Sequence, residues 1–340
     1  MIERIELRPG FDISRVIKGG WQLSQGHSTL GEVDPIADMD AFVKAGITTF
    51  DCADIYTGVE ELIGQYIQQQ KSRGTLSPDL KVLTKFVPDY DKLGSINKDY
   101  VESIIDRSLQ RLNVERLDMV QFSWWTYDIP GWVETAIWLQ ELQQAGKIRL
   151  VSSTNFNTET TAQILKAGVD LATVQVQYSL LDKRPEKQLI DLCAKYDTKL
   201  LCYGTVAGGF LSEKWLGKPE PKYPLDNRSL VKYRLMIEEI GGWDTFQELL
   251  RLLFAVAQEH NTTLTNIATR HILDRPQVGG VIIGARNADH IDANLQVGDI
   301  KLTNKNKSQL AALLEGFSHP PGDVFDIERD KTGKHGRNIR

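Results

Sequence analysis

Short β-rich runs alternate with helical patterns along almost the whole chain of 340 residues. Residues 97–112 show a helical pattern, because the apolar residues Val101, Ile104 and Ile105 fall on one face of a helix. Asn97 is the predicted N-cap of this helix. Eight strands, each followed by a helix, predict an α/β protein with a (β/α)8 TIM barrel. The predicted strands are 16–19, 48–51, 82–86, 119–123, 149–153, 173–178, 199–203 and 280–284.

The rival fold is a doubly wound open sheet. Nucleotide-binding proteins of that class normally carry a glycine-rich loop after a strand. No G-x-G-x-x-G follows the first predicted strand, and no G-x-x-x-x-G-K-[ST] occurs in the sequence. The barrel is therefore preferred, with helices predicted at 34–45, 59–70, 97–112, 132–145, 158–167, 186–196, 244–260 and 288–295.

Two segments interrupt the alternation of strands and helices. Residues 208–243 contain three prolines and are too long for a routine connection, so we expect a functional or disordered loop. The polar residues from 319 onward are either a solvated tail or a segment that folds across the barrel mouth. We therefore expect one barrel domain over residues 1–316 and a C-terminal tail over 317–340.

Charge and cysteine content exclude several classes of protein. The formal net charge of −5 and the pI near 5.8 argue against affinity for nucleic acid or anionic membranes. Cys52, Cys193 and Cys202 are far apart, and no CxxC or metal-ligand spacing occurs, so neither a disulfide scaffold nor a metal site is expected. With no secretory signal, the sequence predicts a cytoplasmic protein in a reducing compartment. It makes no prediction of oligomeric state.

Three ionisable residues stand at or just beyond the ends of two consecutive predicted strands: Asp51, Tyr56 and Lys85. A phenol with an ordinary pKa near ~10 is a poor proton donor at neutral pH. A neighbouring ammonium favours the phenolate and lowers that pKa, while the carboxylate keeps the ammonium charged. This spacing therefore predicts acid–base chemistry, with the pKa of Tyr56 lowered.

Polar and aromatic residues also occur at the ends of later predicted strands. A barrel gathers the carboxyl ends of its strands onto one face, so residues distant in sequence meet around one pocket. The candidates are Ser123, Thr154, Asn155, Gln175 and Tyr203.

Six segments resemble motifs of the aldo-keto reductase superfamily, in collinear order from about residue 14 to residue 316. FDCADIYTGVEELIG, with the lysine of KVLTKF, resembles the family signature. The other segments are GGWQL (19–23), STNF (153–156), VQVQYSLLDKR (174–184), YGTVAGGFLSEK (203–214) and IIGARNADHIDANL (282–295).

The resemblance implies a nicotinamide cofactor, NADP(H), and a catalytic set of Asp51, Tyr56 and Lys85. The resemblance implies that Thr154, Asn155 and Gln175 hold the nicotinamide carboxamide, since their hydroxyl and amide groups can pair with both of its ends. It also implies that the ring of Tyr203 lies against the nicotinamide. Arg286 is a fork-shaped donor suited to a 2′-phosphate, which favours NADPH, although Asn287 and His290 depart from the usual residues. The implied cofactor residues are Gly20, Trp21, Thr154, Asn155, Gln175, Tyr203, Gly204, Thr205, Val206, Gly208, Gly284, Arg286, His290 and Asn294.

One departure from the family concerns the chemistry itself. Where the family usually has Leu-His-Trp at the end of the fourth strand, this chain reads Phe122-Ser123-Trp124. In the family that histidine donates a hydrogen bond to the substrate oxygen. The shorter hydroxyl of Ser123 can donate directly or through water, and we include it in the catalytic set. His27, in the segment after the first predicted strand, could approach the pocket, and the alternative for it is an exposed loop position.

Aromatic residues near the strand ends predict a pocket for an apolar or flat substrate. Trp21, Trp124 and Trp125 are the expected substrate-binding residues, with Phe86 and Tyr127 nearby. The favoured function is hydride transfer between NADP(H) and an aldehyde, ketone or alcohol, with Tyr56 as proton donor. The alternatives are redox-neutral elimination or epimerisation, C=C or C=N reduction, or a nucleotide-binding regulatory subunit with little turnover.

Overall fold

The computed structural model describes residues 2–24, 34–225, 227–284 and 288–338. Within them, eight parallel strands close a barrel in the order β10-β3-β4-β5-β6-β7-β8-β9. The (β/α)8 fold predicted from the sequence is confirmed, and the open sheet is excluded. The strands are β1 (Arg4–Arg8), β2 (Phe11–Ser14), β3 (Val16–Gly19), β4 (Thr49–Asp51), β5 (Lys81–Phe86), β6 (Leu117–Phe122), β7 (Ile148–Thr154), β8 (Leu171–Gln177), β9 (Lys199–Tyr203) and β10 (Val278–Gly284).

The helices surround the barrel or follow it in the chain. They are α1 (Pro35–Lys44), α2 (Val59–Arg73), α3 (Lys98–Leu112), α4 (Trp132–Gln144), α5 (Thr158–Lys166), α6 (Leu189–Lys195), α7 (Arg228–Glu239), α8 (Trp243–Glu259), α9 (Leu264–Leu273), α10 (Ile291–Gln296), α11 (Asn304–Glu315) and α12 (Asp326–Arg329).

The local signals that predict helix α3 act as expected. The side chain of Asn97 accepts a hydrogen bond from the backbone N–H of Tyr100, which satisfies one of the donors left unpaired at the helix start. Val101, Ile104 and Ile105 are buried on the face toward the barrel. Capping and periodicity therefore give both the start and the orientation of this helix.

The N-terminal hairpin of β1 and β2 is absent from the predicted strands, although alternation of charged and apolar residues is typical of a half-buried strand. Its strands pair antiparallel and form a sheet separate from the barrel. Phe11 is 1% exposed, and the guanidinium carbon of Arg149 lies over its ring, 4.9 Å from the ring centre. The hairpin therefore packs against the apolar barrel interior, in a cluster that includes Leu83, Met119 and Leu201.

Helix α7 lies within the segment that was expected to be a long irregular loop. Asn227 caps it by accepting from the backbone N–H of Leu230, and Tyr233 is buried on its inner face. A Cβ at Gly204 would lie 2.3 Å from the Tyr233 hydroxyl, and one at Gly208 would lie 2.8 Å from the ring. The absence of side chains at these two glycines therefore lets α7 pack directly on the loop after β9.

The C-terminal tail packs against loops that follow several barrel strands. Arg329 donates to the backbone oxygen of Trp124 after β6, at 3.0 Å. Asp323 accepts from the backbone N–H of Thr158 at the start of α5, at 2.7 Å. Further along, His335 is bonded to Glu239 of α7. The tail therefore joins the carboxyl side of the barrel to α7.

The close packing of α2 on α3 gives a testable consequence. A Cβ at Gly64 would lie 2.2 Å from the backbone oxygen of Arg111. We expect Gly64→Ala to lower the free energy of unfolding by about 1–3 kcal/mol through overpacking, measured by urea denaturation. Gly94→Ala is the matched control, because a Cβ added there would meet nothing within 4 Å. Equal stability of the two variants would contradict this packing.

Candidate active site

A buried ion pair lies at the carboxyl end of the barrel interior. The ammonium of Lys85 on β5 is 2.8 Å from Oδ2 of Asp51 on β4, and both side chains are 6% exposed. The same ammonium donates to the backbone oxygen of Cys52 at 2.8 Å. Burial alone would lower the pKa of Lys85, but the charge of Asp51, its hydrogen bond and the neighbouring Tyr56 together outweigh burial and raise that pKa. Lys85 therefore stays charged.

Tyr56 lies beside this pair, in the turn between β4 and α2. The ammonium of Lys85 is 5.2 Å from the centre of its ring, and the ring of Trp21 meets it edge-on at 4.9 Å. Asp54 ties the turn to the end of β5, since both of its carboxylate oxygens accept from the backbone N–H of Val87 at 3.3 Å. The predicted grouping of acid, phenol and ammonium is therefore present in the structure.

The electrostatics of Tyr56 differ from the sequence prediction. Burial raises the pKa of the phenol above its ordinary value, and the positive charge of Lys85 only partly offsets that rise. The prediction of a lowered pKa is wrong, because it counted the neighbouring ammonium and not the loss of solvent. The phenol is consequently protonated at neutral pH.

Two glutamines complete the environment of Asp51. Its Oδ1 accepts from the amide nitrogen of Gln121 at 2.7 Å and from that of Gln175 at 2.6 Å. The Gln175 amide nitrogen also donates to Oε1 of Gln121 at 2.7 Å. Sequence reasoning missed Gln121, although the period of a strand puts it on the same inward face as Ser123, two residues later. These donors hold the carboxylate in one orientation.

Ser123 follows β6 and lies next to the end of β5. Its backbone N–H donates to the backbone oxygen of Phe86 at 3.0 Å, and the residue is half-buried. His27 lies outside the described residues. Two histidines of the described chain, His260 and His335, bond to Asn306 and Glu239. Neither pairing brings an imidazole to Ser123.

The residues expected around a nicotinamide lie at the ends of β7, β8 and β9. Asn155 has a positive φ of 61°, and its Oδ1 accepts from the Tyr203 hydroxyl at 2.8 Å. Thr154 lies 3.5 Å from Oε1 of Gln175, a long contact for a hydrogen bond. Because the Gln175 nitrogen is engaged with Asp51 and Gln121, the acceptor oxygen is the part of this side chain left for a ligand.

The loop after β9 contains Gly204, Thr205, Val206 and Gly208, the expected cofactor segment. The hydroxyl of Thr205 is buried with no hydrogen-bond partner in the described part of the chain, as is that of Ser153. Unpaired buried hydroxyls are uncommon and call for an explanation such as a ligand or water. The two expected glycines already accommodate Tyr233, so close packing by α7 accounts for them without a ligand.

The remaining cofactor candidates lie around β3 and β10. Gly20 donates to the backbone oxygen of Asp51 at 2.7 Å, and a Cβ there would lie 2.8 Å from that oxygen, so a side chain does not fit. Gly284 and His290 are exposed, and the backbone N–H of Asn294 donates to the His290 oxygen at 2.9 Å. Arg286 and Asn287 lie outside the described residues.

The expected aromatic mouth is only partly present. Trp21 and Trp125 are exposed, at 41% and 39%. Trp124 is 1% exposed, and its indole N–H donates to the Ile129 oxygen at 2.8 Å. The expectation that Trp124 lines the mouth is therefore corrected, because its ring packs inside the protein, as does that of Phe86.

No group of three or more histidine, cysteine, aspartate or glutamate residues in the described part of the chain could hold a metal ion. Across the same residues, no helix combines the length and the apolar character needed to cross a membrane.

Comparisons with known proteins agree with this architecture. Residues 15–315 match the profile of the Aldo/keto reductase family. Aldo-keto reductase YhdN of Bacillus subtilis is 25% identical, over 93% of this chain and 95% of its own. The chloroplastic pyridoxal reductase of Arabidopsis thaliana is 26% identical, over 91% and 85%. The NADH-specific methylglyoxal reductase of Escherichia coli is 22% identical, over 90% and 96%.

Solved structures show the same fold. The glycerol dehydrogenase AKR11B4 from Gluconobacter oxydans superposes with a TM-score of 0.76 at 23% identity, covering 92% of this chain and 95% of that one. The holo form of aldo-keto reductase AKR11C1 from Bacillus halodurans gives 0.71 at 23% identity, covering 97% and 100%.

The charges around Tyr56 predict how its phenol titrates. We expect the Tyr56 pKa to lie above the ordinary 10.0, and Lys85→Met to raise it further, because that variant removes the opposing charge and leaves Asp51 unpaired. The ultraviolet absorbance of the phenolate measures this, with Tyr56→Phe as the baseline. Ionisation of Tyr56 below pH 10.0 in the unmodified protein would contradict the geometry.

Proposed function

Because this chain belongs to the aldo/keto reductase family, we propose that it is an NADP(H)-dependent oxidoreductase that interconverts a small carbonyl compound and its alcohol. The observation that carries the proposal is the buried pair of Lys85 and Asp51 beside Tyr56, with Nζ–Oδ2 at 2.8 Å and Lys85 5.2 Å from the Tyr56 ring. An ammonium held charged next to a phenol is suited to move a proton at the phenol oxygen.

The residues at the strand ends fit a nicotinamide. The unpaired buried hydroxyl of Thr205 and the acceptor oxygen of Gln175 offer polar groups at the ends of β9 and β8, where the inward-facing ring of Tyr203 also lies. Asn155, Gln175 and Thr154 would hold the carboxamide, and Tyr203 would lie against the ring. The cofactor would supply the hydride for the reaction.

The protein's own groups would then handle the proton. Tyr56 donates its phenolic proton to the substrate oxygen in the direction of reduction. Lys85 stabilises the phenolate that remains, and Asp51 with its two glutamine donors keeps Lys85 in place. Since burial raises the pKa of Tyr56, the group is stored in its acid form, which favours reduction near neutral pH.

The preference for NADP(H) over NADH rests on sequence position alone. Arg286, the proposed partner of the 2′-phosphate, would provide a charged, fork-shaped donor. The Escherichia coli relative whose name specifies NADH shows that this preference varies among similar proteins.

Ser123 supports a second candidate, which keeps the cofactor and changes the reaction. A positioned donor at a reacting oxygen contributes about 10²–10³ in rate, and the serine hydroxyl is shorter than the imidazole it replaces. A shorter side chain at this position would admit a bulkier substrate or a reaction with no net oxidation or reduction. Conversion of a substrate without a net change in NADPH absorbance would favour this candidate.

The central test removes the phenol oxygen. We expect Tyr56→Phe to lower kcat for aldehyde reduction by about 10²–10⁴, because proton donation is lost. The Kd for NADPH should be nearly unchanged, because the phenol acts on the substrate. Turnover is followed by NADPH absorbance and binding by quenching of intrinsic fluorescence.

Tyr223→Phe is the matched control, since Tyr223 is 54% exposed and precedes α7. Its turnover should equal that of the unmodified protein. An unaltered rate in Tyr56→Phe would refute the assignment of the proton donor.

A second test restores the family's imidazole. We expect Ser123→His to raise kcat/KM for a small aldehyde by up to about 10²-fold, because it returns a donor to the reacting oxygen. Steady-state kinetics with propionaldehyde measure the change. A flat or lowered value would show that the serine is adapted to a different substrate or reaction.

A further inference from the structure

Two cations stand at the carboxyl end of the barrel without an ion-pair partner in the described part of the chain. They are Arg329 of the tail and Lys232 of α7, and both lie near the ring of Phe325. The guanidinium carbon of Arg329 is 5.1 Å from the centre of that ring, and the ammonium of Lys232 is 5.8 Å from it. Burial lowers the pKa of both groups. Cations removed from water normally lie against a carboxylate or another counter-charge.

Arg329 has hydrogen-bonding capacity that the protein does not use. Its Nη2 donates to the Trp124 oxygen at 3.0 Å, and its guanidinium carbon lies 4.2 Å from the centre of the Tyr127 ring. Its Nε and Nη1 are buried, and neither has a hydrogen-bond partner among the described residues. Trp124 directly follows Ser123 in the chain, so this hydrogen bond holds the guanidinium against the loop after β6 that carries Ser123.

The chain on both sides of Arg329 is held firmly. The carboxylate of Glu328 accepts two hydrogen bonds of 2.8 Å from Arg184, and both side chains are at most 1% exposed. Arg184 also pairs with Asp182 at 2.7 Å. On the other side, Lys331 donates to the Tyr90 hydroxyl at 2.7 Å. The unused donors of Arg329 therefore belong to a segment with fixed neighbours and not to a loose end.

We propose that the substrate carries a carboxylate and that Arg329 recognises it. The inference rests on the proposed function, since the carbonyl of the same molecule would lie at Tyr56. A guanidinium presents paired N–H donors that match the two oxygens of a carboxylate. Lys232 is assigned to the cofactor side, because its ammonium lies 4.9 Å above the Tyr203 ring.

The test compares two aldehydes of similar shape, 4-carboxybenzaldehyde and its methyl ester, with NADPH. We expect the unmodified protein to give a kcat/KM at least ~10-fold higher for the carboxylate, as charge-assisted hydrogen bonds of ordinary strength imply. Arg329→Met should remove this preference, whereas Arg329→Lys should retain part of it. Lys92→Met is the matched control, because it removes an exposed positive charge from the loop after β5 and leaves the contacts of the tail in place, so the preference should stay intact.

Binding of terephthalate, which has carboxylates and no aldehyde, separates this inference from the proposed function. Calorimetry in the presence of NADP⁺ should show binding to the unmodified protein and to Lys92→Met, and at least ~10-fold weaker binding to Arg329→Met. Circular dichroism checks that each variant is folded.

If no aldehyde is turned over but terephthalate binding depends on Arg329, the proposed function fails and the recognition by Arg329 stands. A preference of the unmodified protein for the ester would overturn the inference. Unchanged selectivity and terephthalate affinity in folded Arg329→Met would overturn it too.

Discussion

The ion pair between Lys85 and Asp51 is the interaction on which the rest of the site depends. Burying two charges is costly unless the geometry is good and the remaining hydrogen-bonding capacity is used. Here each charge has further partners, with the Cys52 oxygen on the ammonium and Gln121 and Gln175 on the carboxylate. Removing one partner of such a pair typically costs about 3–5 kcal/mol. A buried pair is weak evidence for a stabilising role, and we propose that its role is chemical.

The barrel supplies this pair, and segments outside the barrel complete its surroundings. Helix α7 packs on the loop after β9 through Tyr233, and the tail reaches the loop after β6 through Arg329. The buried pair of Arg184 and Glu328 attaches the tail to the loop after β8. We therefore propose that two segments outside the barrel strands, α7 and the tail, set the ligand preference, while the residues around Asp51 belong to the barrel itself.

Much of this architecture could be predicted from the sequence, because it follows from local patterns. The alternation of strands and helices gave the barrel, and motif spacing brought Asp51, Tyr56 and Lys85 together. What failed depends on three-dimensional surroundings. Trp124 stands just after a strand end, where residues are often exposed, yet its ring is buried. The pKa of Tyr56 depends on the loss of solvent around the phenol, which no sequence pattern reports. The contact of Gln121 with Asp51 required the closed barrel.

The central claim is that the ion pair of Lys85 and Asp51 supports hydride transfer to a carbonyl. The most direct test traces the transferred hydride and removes the ammonium of Lys85 in the same experiment. NADPH deuterated at the transferred position is supplied with an aldehyde, and the product is analysed by mass spectrometry for the unmodified protein and for Lys85→Met. The account predicts deuterium on the carbinol carbon with the unmodified protein and a severe loss of product in the variant. Product without deuterium, or equal product from both proteins, would contradict it.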